Sequence, residues 1–232
     1  MTLTRFMTEH MPHAVPAKGN ISISTFANSA SQIQLFDSNN MSRQAIRRHI
    51  RQERNSITQD EQQQLALIAS RHLLAEIQRL NAKRVALYLT HDGELATNKI
   101  IDALWQQGIE TYLPVVHPFS PGNLLFLKYD KQTEMVENQY GIGEPKLDAS
   151  KVMPVNQLDV IVTPLVAFDD SGNRMGMGGG YYDRTLAQVV ESQPLAVGFA
   201  HDCQQVSKLP VEYWDIPLPL IITPTRRFSS IG

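Results

Sequence analysis

The stretch LDVIVTPLVAF (158–168) constrains this chain more than any other. It holds a short apolar run of the kind found in strands buried on both faces, and such strands belong to sheets covered above and below. Next in the chain comes GNRMGMGGGYYDR (172–184), a loop nearly stripped of large side chains, and then a helical pattern in YYDRTLAQVV. Glycine packs nothing and costs backbone entropy. A cluster of it marks backbone that needs unusual dihedrals or that something approaches closely.

The rest of the patterned chain alternates in the same way. SRQAIRRHIRQERNSIT, from residue 42, places Arg43, Arg47, Arg51 and Arg54 on one helical face and Ile46, Ile50 and Ile57 on another. Thr58 and Glu61 form the T-x-x-E capping signature of a second helix, whose stripe is Leu65, Ala69, Leu73, Ile77 and Leu80. VALYLT (85–90) reads as a strand followed by the turn HDGE, and residues 98–107 as a helix closed by Gly108. ETYLPVV, NLLFLKY, LAVGFA and PLIIT supply further strands. Strands alternating with helices predict an α/β fold, a mostly parallel sheet with helices on both faces. Ligands of such sheets bind in loops beyond the carboxyl ends of the strands, where the glycine loop falls.

Residues 1–41 lack any sustained period and are rich in Ser, Asn and Thr, so they read as a disordered amino-terminal extension, with Met41 as the natural start. Residues 42–232 then form a single α/β domain. The net charge of −2 gives no field that argues for nucleic acid or a membrane surface. Cys203 is the one cysteine, which favours a reducing compartment; it reads as a small core residue rather than a reactive thiol. No apolar run approaches the ~20 residues a membrane helix needs. The expectation is a cytoplasmic protein.

In the loop, Gly176, Gly178, Gly179 and Gly180 let successive amide N–H groups point inward together, a geometry suited to a phosphate chain. Arg174 can add a charge-assisted fork to phosphate oxygens, and Asp183 is a hard oxygen ligand of the kind magnesium accepts beside them. The segment lacks the G-K-[ST] ending of a P-loop and breaks the dinucleotide-binding glycine spacing.

The segment PLVAFDDSGNRMGMGGGYYDR closely resembles the signature of the 5-formyltetrahydrofolate cyclo-ligase (5,10-methenyltetrahydrofolate synthetase) family, roughly P-x-x-A-F-D followed by G-x-R-L-G-x-G-x-G-Y-Y-D. Further stretches resemble that family in order: the basic amino-terminal helix, DGELAT (92–97), YLPVV (112–116), YGIGEPK (140–146) and LPVEYWDIPL (209–218). The resemblance spans about residues 42–225 and is strongest to the bacterial branch. It implies a fold akin to the NagB/RpiA/CoA-transferase group. It also implies a ligase that forms a C–N bond, with Mg²⁺ as cofactor and ATP and 5-formyltetrahydrofolate as its partners.

By the same resemblance, Arg43 and Arg47 contact the ATP phosphates. Arg174, Met175, Gly176, Met177, Gly178, Gly179, Gly180, Tyr181 and Tyr182 form the nucleotide-binding stretch, with Arg174, Tyr181 and Tyr182 nearest the chemistry. Leu89, Glu94 and Tyr181 contact the folate, and Asp183 and Asp215 bind magnesium. Met177 stands where an Arg is frequent, Gly179 where some members carry Lys, and Trp214 where many have His. Two cations near the reacting phosphate are therefore missing. The alternatives are a non-catalytic nucleotide- or RNA-binding protein on the same scaffold and, by fold analogy alone, a sugar-phosphate isomerase or CoA transferase.

Overall fold

Ser42 starts the first helix by accepting the Ala45 N–H at 3.2 Å. Thr58 starts the second with a complete capping box: its hydroxyl accepts from the Glu61 N–H, and the Glu61 carboxylate accepts from the Thr58 N–H. These signals delimit α1 (Arg43–Ser56) and α2 (Gln59–Arg79) in a computed structural model that describes residues 35–189 and 194–229. The next elements are β1 (Arg84–Ala86), α3 (Asn98–Gln106), β2 (Glu110–Val116), β3 (Leu124–Tyr129) and a short hairpin of β4 (Met135–Glu137) and β5 (Gly143–Pro145). Then come β6 (Val152–Met153), β7 (Val160–Thr163) and a second hairpin of β8 (Ala167–Phe168) and β9 (Arg174–Met175). The chain continues through α4 (Tyr181–Leu186), β10 (Leu195–Phe199), β11 (Leu220–Ile222) and β12 (Arg227–Ser229).

The central sheet has the order β12-β11-β10-β7-β1-β2-β3-β6. Its middle, from β11 to β2, is parallel, and β12, β3 and β6 add antiparallel edges. All of β7 is buried, and its side chains alternate as a two-residue period demands. Val160 and Val162 join Ala69, Leu73 and Ile77 of α2 and Ile100, Ile101 and Leu104 of α3. Ile161 faces the other way, onto Phe168, Leu186 and Leu218.

The two faces are covered unequally. Three segments depart from the sequence expectation, each for a local reason. The helix expected over YYDRTLAQVV ends at Leu186, after which Gln188 and Val189 N–H groups donate to Thr185 and Leu186 in a tighter turn. The second face is therefore covered by one short helix, the β8–β9 hairpin and loops. VALYLT keeps strand pairing only over β1, with one further ladder bond from Leu87 N–H to Tyr112 O at 2.9 Å. Finally, the packed chain begins before residue 42. Phe36 bridges to Val206 and stacks on His49 with ring centroids 3.8 Å apart. The Ser38 N–H donates to the Ser207 hydroxyl at 3.2 Å, and Ser38 is buried. Residues 36–41 thus belong with the domain, and the remainder of the expected extension, up to residue 34, lies outside the described residues.

Helix α1 does not lie on the main sheet. Ile46 and Ile50 pack against Val166, Ala167, Met175, Val206 and Leu209, so the helix sits on the β8–β9 hairpin that leads into the glycine loop. Cys203 is partly buried and its thiol is pushed up to about 11, chiefly by that burial. No helix among the described residues is long and apolar enough to cross a membrane.

Candidate active site

Asp169 builds the turn that separates strand from loop. One of its carboxylate oxygens accepts from the N–H groups of Ser171 (3.1 Å) and Asn173 (3.2 Å), the other from the Asn173 amide and the Leu209 N–H, both at 3.0 Å. The chain reverses into β9, which ends on buried Arg174 and Met175, and the glycines begin there. Gly178 and Gly180 have φ of 109° and 67°, where a side chain is strained.

The loop's carbonyls face outward onto arginines. Arg47 Nε donates to Gly176 O at 2.8 Å, and Arg184 donates to Gly179 O and, at 2.7 Å, to Gly122 O. Among the described residues no acceptor takes the N–H groups of Met177, Gly178, Gly179 or Gly180. Unpaired amide donors on a bent backbone form an anion cradle.

The cradle lines a cavity of about 500 Å³. Its walls are apolar, including Leu89, Leu113, Val116, Leu124 and Ile142, and Glu94 and Tyr88 stand among them. A few polar groups in an apolar cleft is the usual make-up of a small-molecule site. The Glu94 carboxylate accepts the His91 N–H at 3.1 Å. Burial pushes its pKa up to about 7, against the opposing charge of Arg54. The Tyr182 hydroxyl is buried with no partner among the described residues, and burial followed by the Glu94 charge raises its pKa far above the ordinary value. Tyr181 instead shares a 2.7 Å hydrogen bond with Tyr140, whose hairpin also lines the cavity.

The two expected magnesium carboxylates are each held by an arginine, and the Ile216 N–H, next to Asp215 in the chain, donates to Asp183 Oδ1 at 3.3 Å. Arg174 Nη2 holds Asp183 Oδ1 at 2.8 Å, leaving Oδ2 without a partner among the described residues. Asp183 lines the cavity and suits a hard cation that takes its other ligands from phosphates and water. Asp215, expected beside it, has both oxygens held by Arg43, at 2.5 and 3.0 Å. Burial works to raise the Asp215 pKa, but the Arg43 fork and the Glu212 N–H outweigh it and hold the group below the ordinary carboxylate range. Arg43, expected on phosphate, is thereby tied to the 210–215 loop, to which it also donates through Pro210 O at 2.9 Å. Among the described residues no three His, Cys, Asp or Glu side chains gather as a metal cluster.

Met177 is half-exposed and Trp214 also faces solvent. Several participants escaped the sequence reading. Arg184 carried a readable signal, being a cation one turn after the glycines. Tyr140 opens the YGIGEPK stretch, but nothing local announced its bond to Tyr181, 41 residues away. Gln204 staples the loop behind the cavity, donating to Leu165 O (2.6 Å) and Val166 O (3.1 Å).

Residues 39–224 match the model of the 5-formyltetrahydrofolate cyclo-ligase family. The chain belongs to that family. It is 51% identical over 177 residues to the 5-formyltetrahydrofolate cyclo-ligase of Escherichia coli (strain K12), covering 76% of this chain and 97% of that one. The enzyme of the same name from Haemophilus influenzae is 49% identical over 180 residues, or 78% of this chain and 96% of the relative. Among solved structures, the NMR structure of Aquifex aeolicus 5,10-methenyltetrahydrofolate synthetase superposes with a TM-score of 0.71 at 26% identity, covering 83% of this chain and 94% of that one. The cyclo-ligase match contains every cavity residue named above, and it begins upstream of residue 42, within the segment that packs on α1.

Proposed function

We propose that this protein catalyses the ATP-dependent closure of 5-formyltetrahydrofolate to 5,10-methenyltetrahydrofolate, releasing ADP and phosphate. The observation that carries the reading is one cavity lined both by an unpaired amide cradle and by a partly buried carboxylate. A protein that merely bound nucleotide or RNA has no use for Glu94 in an apolar cleft.

A formamide oxygen is a poor leaving group, so N10 of the folate cannot displace it directly. Transfer of the γ-phosphoryl group to that oxygen breaks the bond to ADP and makes a phosphate ester of the formyl oxygen. N10 then attacks the formyl carbon, its proton is released, and the C–O bond breaks as phosphate departs. Such transfer asks a protein mainly for positioning and charge neutralisation. The amides of residues 177–180 and the charge of Arg47 meet the phosphates, and Arg174 orients Asp183. Arg184 and Arg47, both bonded to loop carbonyls, put positive charge beside a loop whose positions 177 and 179 carry none. Glu94 accepts from the N–H edge of the pterin, and Tyr181, pinned by Tyr140, lines the same cavity. Magnesium, when bound, would be held by Asp183 together with phosphate oxygens and would neutralise charge building on the β- and γ-phosphates. Mixing purified protein with 5-formyltetrahydrofolate and Mg-ATP tests the reading. The near-ultraviolet absorbance of the methenyl product should rise, and should stay flat when ATP, the metal or the folate is omitted. No absorbance rise in the complete mixture would contradict it.

A further inference from the structure

Glu94 reaches the cavity from the turn of residues 91–94, and the groups that hold that turn come from α1 and the first turns of α2. Asp92 and Gly93 have φ of 50° and 72°, in the left-handed region that glycine takes freely and aspartate takes with hydrogen bonds to its side chain. Arg54 Nη2 and Arg51 Nε donate to Asp92 Oδ2 at 2.7 and 2.6 Å, and the Asn55 amide donates to Oδ1 at 3.1 Å. Gln62 ties the Arg54 and Gly93 carbonyls together, 3.2 Å from each. A Cβ on Gly93 would collide with the Asn55 side-chain oxygen. Among these groups the Arg54 side chain is fully buried, with Nη1 3.4 Å from the carbonyl of Leu165, a cavity residue. Burying a guanidinium is expensive, and a surface turn can be held by shorter polar side chains at lower cost.

We infer that Arg54 is a positioning residue for the folate end of the site, fixing the 91–94 turn through Asp92 so that the Glu94 carboxylate faces the cavity. One helix then serves both substrates. Its amino-terminal half braces the glycine loop through Arg47, and its carboxyl-terminal half clasps the turn that carries Glu94. The inference rests on the reading of Glu94 as a folate contact.

The charges around Glu94 add a second handle. Burial raises its pKa, while Arg54 and the His91 N–H oppose that and Asp92 reinforces it. Tyr88, beyond β1, and Tyr182 of α4 face the same carboxylate, and burial keeps both neutral. His201, beside Arg54, is pushed down to about 4 by burial and then by the Arg54 charge. The charged side chains that act on Glu94 are Arg54 and Asp92. Loss of the Arg54 charge should therefore move Glu94 ionisation to higher pH.

The test measures calorimetric binding of 5-formyltetrahydrofolate and the KM for ATP in the wild type, Arg54→Met, Gly93→Ala, Glu94→Gln and the Arg54→Met/Glu94→Gln pair, after circular dichroism has shown each to be folded. Arg54→Met and Gly93→Ala should each weaken folate binding about ten- to a hundredfold, the scale of a contact displaced by about 1 Å, with the KM for ATP unchanged. Folate binding by Arg54→Met should fall off at a higher pH than in the wild type. In the Glu94→Gln background, Arg54→Met should add little further loss. Normal folate affinity in the folded variants, parallel loss of ATP and folate, or fully additive effects at 54 and 94 would each overturn the inference. If Arg54→Met does not fold, Gly93→Ala decides alone, and normal folate affinity there overturns it. A wild type that binds no folate overturns the proposed function as well, a result distinct from all of these.

Discussion

Arg43 and Asp215 form a two-pronged ion pair across 172 residues of sequence, Nη1 to Oδ2 at 2.5 Å and Nη2 to Oδ1 at 3.0 Å. The pair fastens the first turn of α1 to the 210–215 loop and occupies both oxygens of a carboxylate that the sequence suggested for magnesium. Asp183 keeps one oxygen for a cation. The two aspartates should therefore answer differently to substitution. Asp183→Asn should lower kcat by about 10²-fold, as loss of preorganised charge stabilisation typically does, with partial recovery at high magnesium. Asp215→Asn should raise the KM for ATP by loosening the Arg43 anchor of the first turn of α1 and with it Arg47 on the glycine loop, with the magnesium dependence unchanged. Titrating the rate with magnesium for both variants checks this, and an equal shift in the two would return Asp215 to the metal.

Glu94 predicts a stability cost that depends on pH. Its pKa rises from 4.5 to about 7 on folding, chiefly by burial. Below the unfolded value the group is neutral in both states and costs nothing. As pH rises through the folded value, the folded state must hold a carboxylate that the unfolded chain ionises more easily, and stability is lost. By linkage the full cost is roughly 3–4 kcal/mol. Glu94→Gln should therefore raise the melting temperature at pH well above 7, leave it unchanged near the unfolded pKa, and weaken folate binding. Melting curves across that range would contradict the account if the difference were constant.

Arg47 donates to Gly176 O through Nε, and the rest of its guanidinium lies against Gly178. Arg47→Ala should raise the KM for ATP about ten- to a hundredfold, the equivalent of losing 1.5–3 kcal/mol of charge-assisted contact, with a smaller effect on folate. An unchanged ATP dependence in steady-state kinetics would reduce Arg47 to a brace for the loop.

A chain beginning at residue 42 should melt several degrees lower than one beginning at residue 35. The shorter chain loses the Phe36 stack on His49, the buried Ser38 contacts and the packing of Met41. Phe36 is only partly buried, so the loss should be about 1–2 kcal/mol, or roughly 2–8 °C for a domain of this size. Identical melting temperatures would show that these contacts add nothing.

Legibility in the sequence tracks the range of the physics. Caps and periodicity are local, and the helices begin where Ser42 and Thr58 place them. Glycines mark unusual backbone, and the loop was found from them. The signature around Tyr181 and Tyr182 pointed to a cavity that contains both. Partners distant in sequence were not legible. Arg54 shares a helical face with Arg43, Arg47 and Arg51, and nothing in that pattern sets it apart; only the fold brings Asp92 onto it and buries it. Asp215 reads as a magnesium ligand by resemblance, and only the fold brings Arg43 onto both its oxygens. The short α4 was also misjudged, because LAQVV continues a helical pattern that the chain abandons after Leu186.

The central claim is that the formyl oxygen itself receives the phosphoryl group and leaves with it. The most direct measurement starts from 5-formyltetrahydrofolate whose formyl oxygen carries a heavy isotope, and tracks one round of turnover with Mg-ATP. Mass spectrometry of the inorganic phosphate then locates the label. The account predicts one labelled oxygen in each phosphate released, in step with methenyl product. Label appearing in water, with unlabelled phosphate, would contradict it.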